Sequence, residues 1–164
     1  DADFITADGG FDFSYNFNKQ EQLSYRIILC EIVCALSIQK VGGSFVCKIF
    51  DMYTEITQSL IYLLYSFYDN VYITKPNTSR TANSEKYIVC KGFKGIDNYY
   101  LIKLYVVIDN FKHITNNNMF VNQIFKYNID NEFIKNLTNI NTLFYNNQIK
   151  SIDKTLSACA FLLK

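Results

Sequence analysis

Ser44-Phe45-Val46-Cys47-Lys48-Ile49 is the run on which the fold turns. It is apolar and β-rich, which predicts a buried strand. Upstream, Asn18-Lys19-Gln20-Glu21 reads as a capping box, in which Asn18 takes an orphan N–H and Glu21 reaches back. Leu23, Ile27, Cys30 and Cys34 follow at helical spacing, and Gly42-Gly43 is expected to stop that helix. Downstream, Thr54 can cap a second helix whose apolar stripe is Ile56, Leu60, Leu63 or Leu64, and Phe67. Val71 to Thr74 alternates as a strand ended by Pro76, a polar loop runs from Asn77 to Ser84, and Lys86 to Lys91 reads as one more strand. Ahead of all this, Phe4 to Ala7 is a short buried strand that stops at Asp8-Gly9-Gly10.

Strands alternating with helices imply an α/β fold on a mostly parallel sheet. The loop before Lys86 is too short for a crossover helix, so the last strand should form a hairpin and run antiparallel. After Gly95 the composition shifts to Asn, Ile, Tyr and Phe. Residues 96–164 are expected to be a mainly helical C-terminal extension to a domain at 1–95. Its helices are expected at Tyr99 to Phe111, Ile124 to Leu143 and Thr155 to Leu163, with Asn116-Asn117-Asn118 as a loop. The chain opens straight into a strand, which suggests a cut inside a larger domain.

The 164 residues suffice for one domain with an appendage, and 49% apolar with 19% charged is a globular composition, not a disordered one. A net charge of +1 imposes no nucleic-acid partner globally, so any such surface must be local. The cysteines at 30, 34, 47, 90 and 159 form no CxxC pair and His113 is the only histidine, which argues against a metal site. An odd, unpatterned set of thiols suits a reducing, intracellular compartment, cytoplasmic or nuclear. No apolar run approaches the roughly 18 residues of a membrane span; the longest, Arg26 to Ile38, is interrupted by Glu31. The sequons at Asn77 and Asn136 are read as chance.

In an open α/β sheet, ligands bind beyond the carboxyl ends of the parallel strands. Asp8 ends the first strand, Lys48 lies near the end of the next, and Glu85 precedes the antiparallel one, whose start falls at the same rim. A lysine between two carboxylates can orient a hydroxyl and stabilise the charge that develops as it attacks. From spacing alone, a structural ion triad or three unrelated surface charges remains the commoner arrangement.

Longer blocks of sequence bear on that choice. Ile5-Thr6-Ala7-Asp8-Gly9-Gly10-Phe11, Ala35-Leu36-Ser37-Ile38 and Gly42 to Asp51 are similar to the FtsJ-like RNA 2'-O-methyltransferases. Leu60 to Leu64, Lys75-Pro76-Asn77-Thr78-Ser79-Arg80-Thr81-Ala82-Asn83-Ser84-Glu85 and Tyr87 to Gly92 resemble, more narrowly, the cap-specific mRNA branch. The resemblance implies the C-terminal half of a Rossmann-like methyltransferase sheet with a Lys-Asp-Lys-Glu tetrad. Asp8, Lys48 and Glu85 match its last three members, and the first lysine is expected upstream of residue 1. It implies S-adenosylmethionine as cofactor, held here by Asp8 and Gly9 with most of its site upstream. It implies capped mRNA or another RNA as partner, without a metal or a membrane. Within the Lys75–Glu85 loop, Lys75, Ser79, Arg80 and Asn83 are the expected RNA contacts. Tyr53 and Phe50 are candidates for base stacking, with core packing the commoner fate of such rings. Thr81 stands where family members often have Pro, which should alter loop stiffness more than chemistry.

The alternatives are a ribosomal or transfer RNA 2'-O-methyltransferase, and a non-catalytic RNA-binding scaffold of the same fold. Intact Asp8, Lys48 and Glu85 speak against the scaffold.

Overall fold

A computed structural model describes residues 1–10, 16, 19–113 and 128–162. Four strands, β1 (Ala2–Ala7), β2 (Gln39–Ile49), β3 (Tyr68–Thr74) and β4 (Lys86–Phe93), form one sheet in the order β1-β2-β4-β3. β1 pairs parallel to β2, and β4 pairs antiparallel to both β2 and β3. The last strand is therefore inserted between its predecessors, pointing against them, as the short loop before it requires. The mixed α/β fold and the antiparallel final strand agree with the sequence reading.

Helix α1 (Gln20–Ile38) presents Ile28, Leu29, Ile32, Val33 and Leu36 to the core. Helix α2 (Glu55–Phe67) starts as its sequence indicates: the Thr54 side chain accepts the Thr57 N–H at 3.4 Å. Its stripe of Ile56, Leu60, Leu63 and Leu64 is buried. Phe45, Cys47 and Ile49 of β2 and Ile88 and Cys90 of β4 join the same core. Val46, Lys48, Tyr87 and Val89 alternate with them and stay half-buried on the opposite face. Lys48 thus leaves the sheet on its more open side.

Two expectations need correction, and a third, the Asn18 capping box, falls partly outside the described residues. The Glu21 carboxylate accepts the backbone N–H and the hydroxyl of Thr54, each at 2.7 Å, tying the start of α1 to the start of α2. Gly42-Gly43 does not stop α1. The helix ends at Ile38, Gln39 is already extended, and the two glycines lie inside β2. There the register runs from Ala2↔Gln39 to Phe4↔Ser44, so two steps along β1 face five along β2. The surplus loops out at Gly42, which has a φ of +83°. A Cβ on Gly43 would lie 2.8 Å from the Lys40 carbonyl and 2.9 Å from that of Asp3, so only glycine lets the two strands close up again.

The second correction concerns the extension. Helix α3 (Asn98–Asn110) lies where a helix was expected, capped by Asp97, whose side chain accepts the Tyr99 N–H at 2.7 Å. The two later segments are one 32-residue helix, α4 (Asn131–Leu162). The expected Asn116-Asn117-Asn118 loop lies outside the described residues. Both helices share the core of the sheet domain: Leu104 and Leu137 are each 3% exposed within it. Phe133 packs against the rings of Tyr62 and Tyr65 on α2, with centroids 5.0 and 5.4 Å away. The buried Asn141 amide donates to the Met52 carbonyl at 2.9 Å, just beyond β2.

Candidate active site

Asp8 follows β1 directly, and Lys48 is the tenth of the eleven residues of β2, so parallel pairing brings them to one rim. Their side chains form an ion pair, and the Lys48 ammonium also reaches the Asp8 carbonyl at 3.4 Å. The Lys48 side chain is 17% exposed while that of Asp8 is 69% exposed. The ammonium is thus sunk into the rim and the carboxylate stands outside it. Phe50 lies under the ammonium, 5.8 Å from Nζ to ring centroid. Phe50 is buried, so it packs instead of offering a stacking face, whereas Tyr53 is exposed. Tyr53 lines a groove of about 610 Å³ together with Asn141, Tyr145 and Gln148 of α4.

Glu85 reaches the same rim by a different route. Lys48 is the register partner of Tyr87, and Glu85 precedes Tyr87 by two residues, which puts it on the Lys48 side. No salt bridge joins Glu85 to Lys48 among the described residues. The Glu85 carboxylate instead accepts the Tyr87 hydroxyl at 2.8 Å. That bond, with lesser contributions from burial and from the negative charges of Glu85 and Asp8, pushes the Tyr87 phenol up to about 12. The expected lysine between two carboxylates is therefore a Lys48–Asp8 contact, with Glu85 set alongside by Tyr87.

Two residues with no assigned role in the sequence support this rim. Glu31, which the sequence shows only as a break in an apolar run, reaches from α1 to accept the Gly9 N–H at 2.6 Å. Its other oxygen lies 3.7 Å from the Cys47 sulfur, beside Lys48. Burial first, then the Glu31 carboxylate, holds the Cys47 thiol well above its usual range. Tyr87 is the second, and its signal was the i, i+2 spacing from Glu85 on a strand.

The expected RNA contacts divide. Arg80 is exposed on the loop. The Lys75 ammonium is taken up within the protein, donating to the Asn83 carbonyl at 2.9 Å, the Asn83 side-chain oxygen at 2.6 Å and the Glu85 carbonyl at 2.8 Å. Three donors meet three acceptors, which leaves none for a phosphate. Asn83 has both its oxygens on Lys75, and the Ser79 hydroxyl is buried without a protein partner.

The Gly9 N–H is taken up by the Glu31 carboxylate, which ties the loop after β1 to α1. Gly10 lies beside the ammonium, where a Cβ would stand in ordinary contact 3.6 Å from Lys48 Nζ. No group of His, Cys, Asp and Glu with metal-ligand geometry occurs among the described residues. No helix among them is long and apolar enough to cross a membrane.

Comparison with known proteins gives the family of the chain. The family model of the FtsJ-like methyltransferases matches residues 1–93. Cap-specific mRNA (nucleoside-2'-O-)-methyltransferase 1 of Mus musculus is 40% identical over 154 residues, covering 92% of this chain and 18% of its own length. The Homo sapiens protein of the same name is 40% identical over 157 residues, with the same coverage. The chain therefore spans under a fifth of the length of these relatives. Among solved structures, a putative ribosomal RNA methyltransferase from Plasmodium falciparum is 24% identical with a TM-score of 0.42, covering 57% of this chain and 48% of that one. The family match takes in more than half of the chain, from the strand that ends at Asp8 to the strand that follows Glu85. The chain belongs to the FtsJ-like methyltransferase family.

Proposed function

We propose that this chain carries the acceptor side of an RNA ribose 2'-O-methyltransferase that uses S-adenosylmethionine and acts on capped mRNA. The observation that carries the reading is the Lys48 ammonium, sunk into the carboxyl rim of the sheet and held there by Asp8. The relatives named for cap-specific methylation support the choice of RNA.

The cofactor, when bound, supplies an electrophilic methyl on a sulfonium. The chain's own residues then have to place one ribose hydroxyl. Lys48 would donate a hydrogen bond to the 2'-oxygen, hold it in line, and stabilise the negative charge that the oxygen gains as its proton leaves for solvent. Asp8 keeps the ammonium from swinging out. Much of the rate should come from this alignment. Arg80 and Tyr53 are exposed, which supports a role for Arg80 in clamping a phosphate and for Tyr53 in stacking on a base. The Asn83 amide nitrogen remains for a 2'-OH or phosphate, and Asp8 adjoins the cofactor side.

The test uses the whole protein that carries this chain, with radiolabelled methyl donor and capped or uncapped RNA. Transfer should depend on the cap, and Lys48→Ala should lower it about 10²- to 10³-fold, the range for a lost charge-stabilising donor. Equal transfer to uncapped RNA would remove the cap from the reading. Unchanged transfer by Lys48→Ala would remove the mechanism.

A further inference from the structure

Three consecutive carbonyls lead into Glu85, and each of them is held by a lysine ammonium. Lys75 takes those of Asn83 and Glu85, at 2.9 and 2.8 Å. Lys86 takes that of Ser84, at 2.8 Å. Lys75 thus holds the first and third of these carbonyls and Lys86 the one between them. The grip is anchored at three strand ends. Lys75 follows β3, and Lys86 opens β4. The Lys86 ammonium also pairs with Asp51 at 3.0 Å and reaches the Phe50 carbonyl at 3.5 Å, both just past β2 and Lys48. Phe144 of α4 closes over it, 5.6 Å from Nζ to ring centroid.

This arrangement is costly for stability alone. Lys86 has a side chain only 5% exposed, and Lys75 is half-buried close to it. Burial and then the Lys86 ammonium lower the Lys75 pKa. Two cations brought together around one short turn oppose each other, where neutral side chains could have satisfied the same carbonyls. What the two ammoniums supply is stiffness at the residue whose carboxylate must stand beside Lys48.

We infer that Lys75 and Lys86 are positioning residues, which fix the main chain of Asn83–Glu85 and so set the Glu85 carboxylate against Tyr87 at the methyl-transfer site. The inference rests on the function proposed above. It assigns Lys75 to the enzyme's own architecture instead of to RNA.

The experiment compares Lys75→Met, Lys75→Arg and Asp51→Asn with the wild type in the full-length protein, under saturating methyl donor. Asp51→Asn is included because it loosens Lys86 without emptying a buried site, should Lys75→Met fail to fold. Lys75→Met should lower kcat about 10- to 100-fold with the KM for RNA unchanged, since a displaced group costs rate more than binding. Lys75→Arg, which keeps charge and donors, should recover part of that loss. Asp51→Asn should lower kcat in the same sense by a smaller factor. An unchanged kcat in both Lys75→Met and Asp51→Asn overturns the inference. So does a raised KM for RNA with kcat intact in Lys75→Met, which would return Lys75 to the substrate. Lys48→Ala run in parallel separates the two ideas. If it abolishes transfer while Lys75→Met and Asp51→Asn do not impair it, only the clamp is wrong; if it leaves transfer intact, the function is wrong first.

Discussion

Tyr87 shows how one hydroxyl can organise a charged rim. Its phenol donates to Glu85 and lies in the field of Asp8, so losing its proton would bring a third negative charge to the same place. A group whose folded pKa lies above its ordinary value of 10.0 gives its full contribution below that value. The contribution then fades as the pH rises through about 12. In a tyrosine-labelled NMR titration, one ring should keep its proton past pH 11 with a midpoint near 12, and that signal should vanish in Tyr87→Phe. If Tyr87→Phe removes only a signal titrating near 10, the bond to Glu85 is not made in solution. Asp8, Lys48 and Glu85 were legible in the sequence because strand ends and hairpin direction place them at one rim. The contacts among them were not. Whether a carboxylate turns to an ammonium or to a phenol depends on side-chain rotamers, which no spacing encodes. Glu31 was hidden for a related reason: a lone acid in an apolar helix looks like a blemish until the loop it supports is folded against it.

At the scale of elements, strand order and direction were readable, because alternation of apolar runs with turn residues constrains them tightly. The glycine pair at 42–43 was misread because the same two letters can end a helix or open a bulge, and only the register against β1 decides between them. That bulge is tight enough to test. Gly43→Ala should cost about 1–3 kcal/mol in chemical denaturation, because the added methyl meets two backbone carbonyls that cannot rotate away. A loss below a few tenths of a kcal/mol would mean that β1 and β2 do not close there. The break expected within α4 fails on similar grounds. Residues 144–154 are mostly polar, but Tyr145, Ile149 and Ile152 keep helical spacing there, the stretch contains neither Gly nor Pro, and polarity alone does not stop a helix.

The whole molecule is more unified than a domain with a tail. Leu104 and Leu137 lie in the same core as β2 and β4, and Asn141 bonds to the main chain after Lys48's strand. Leu137→Ala should lower stability by about 2–5 kcal/mol, with the sheet and the helices still melting in one transition. Two separated transitions would show that α4 merely rests on the surface. Phe133, Leu137, Ile140 and Phe144 recur at helical spacing along α4, but spacing does not say which elements such a stripe will meet, and here they include both α2 and β3. The insertion of β4 has a further consequence for a chain that emerges from the ribosome in order. Among the described strands, β3 has no neighbour to bond until residues 86–93 arrive, because the one it pairs with is β4. Until then the edge of β2 that β4 will cover stays bare, and a bare strand edge is open to wrong pairing. Assembly must therefore wait for the last strand and then occur nearly at once, so a nascent chain halted before Lys86 should be the species that chaperones hold and proteases clear.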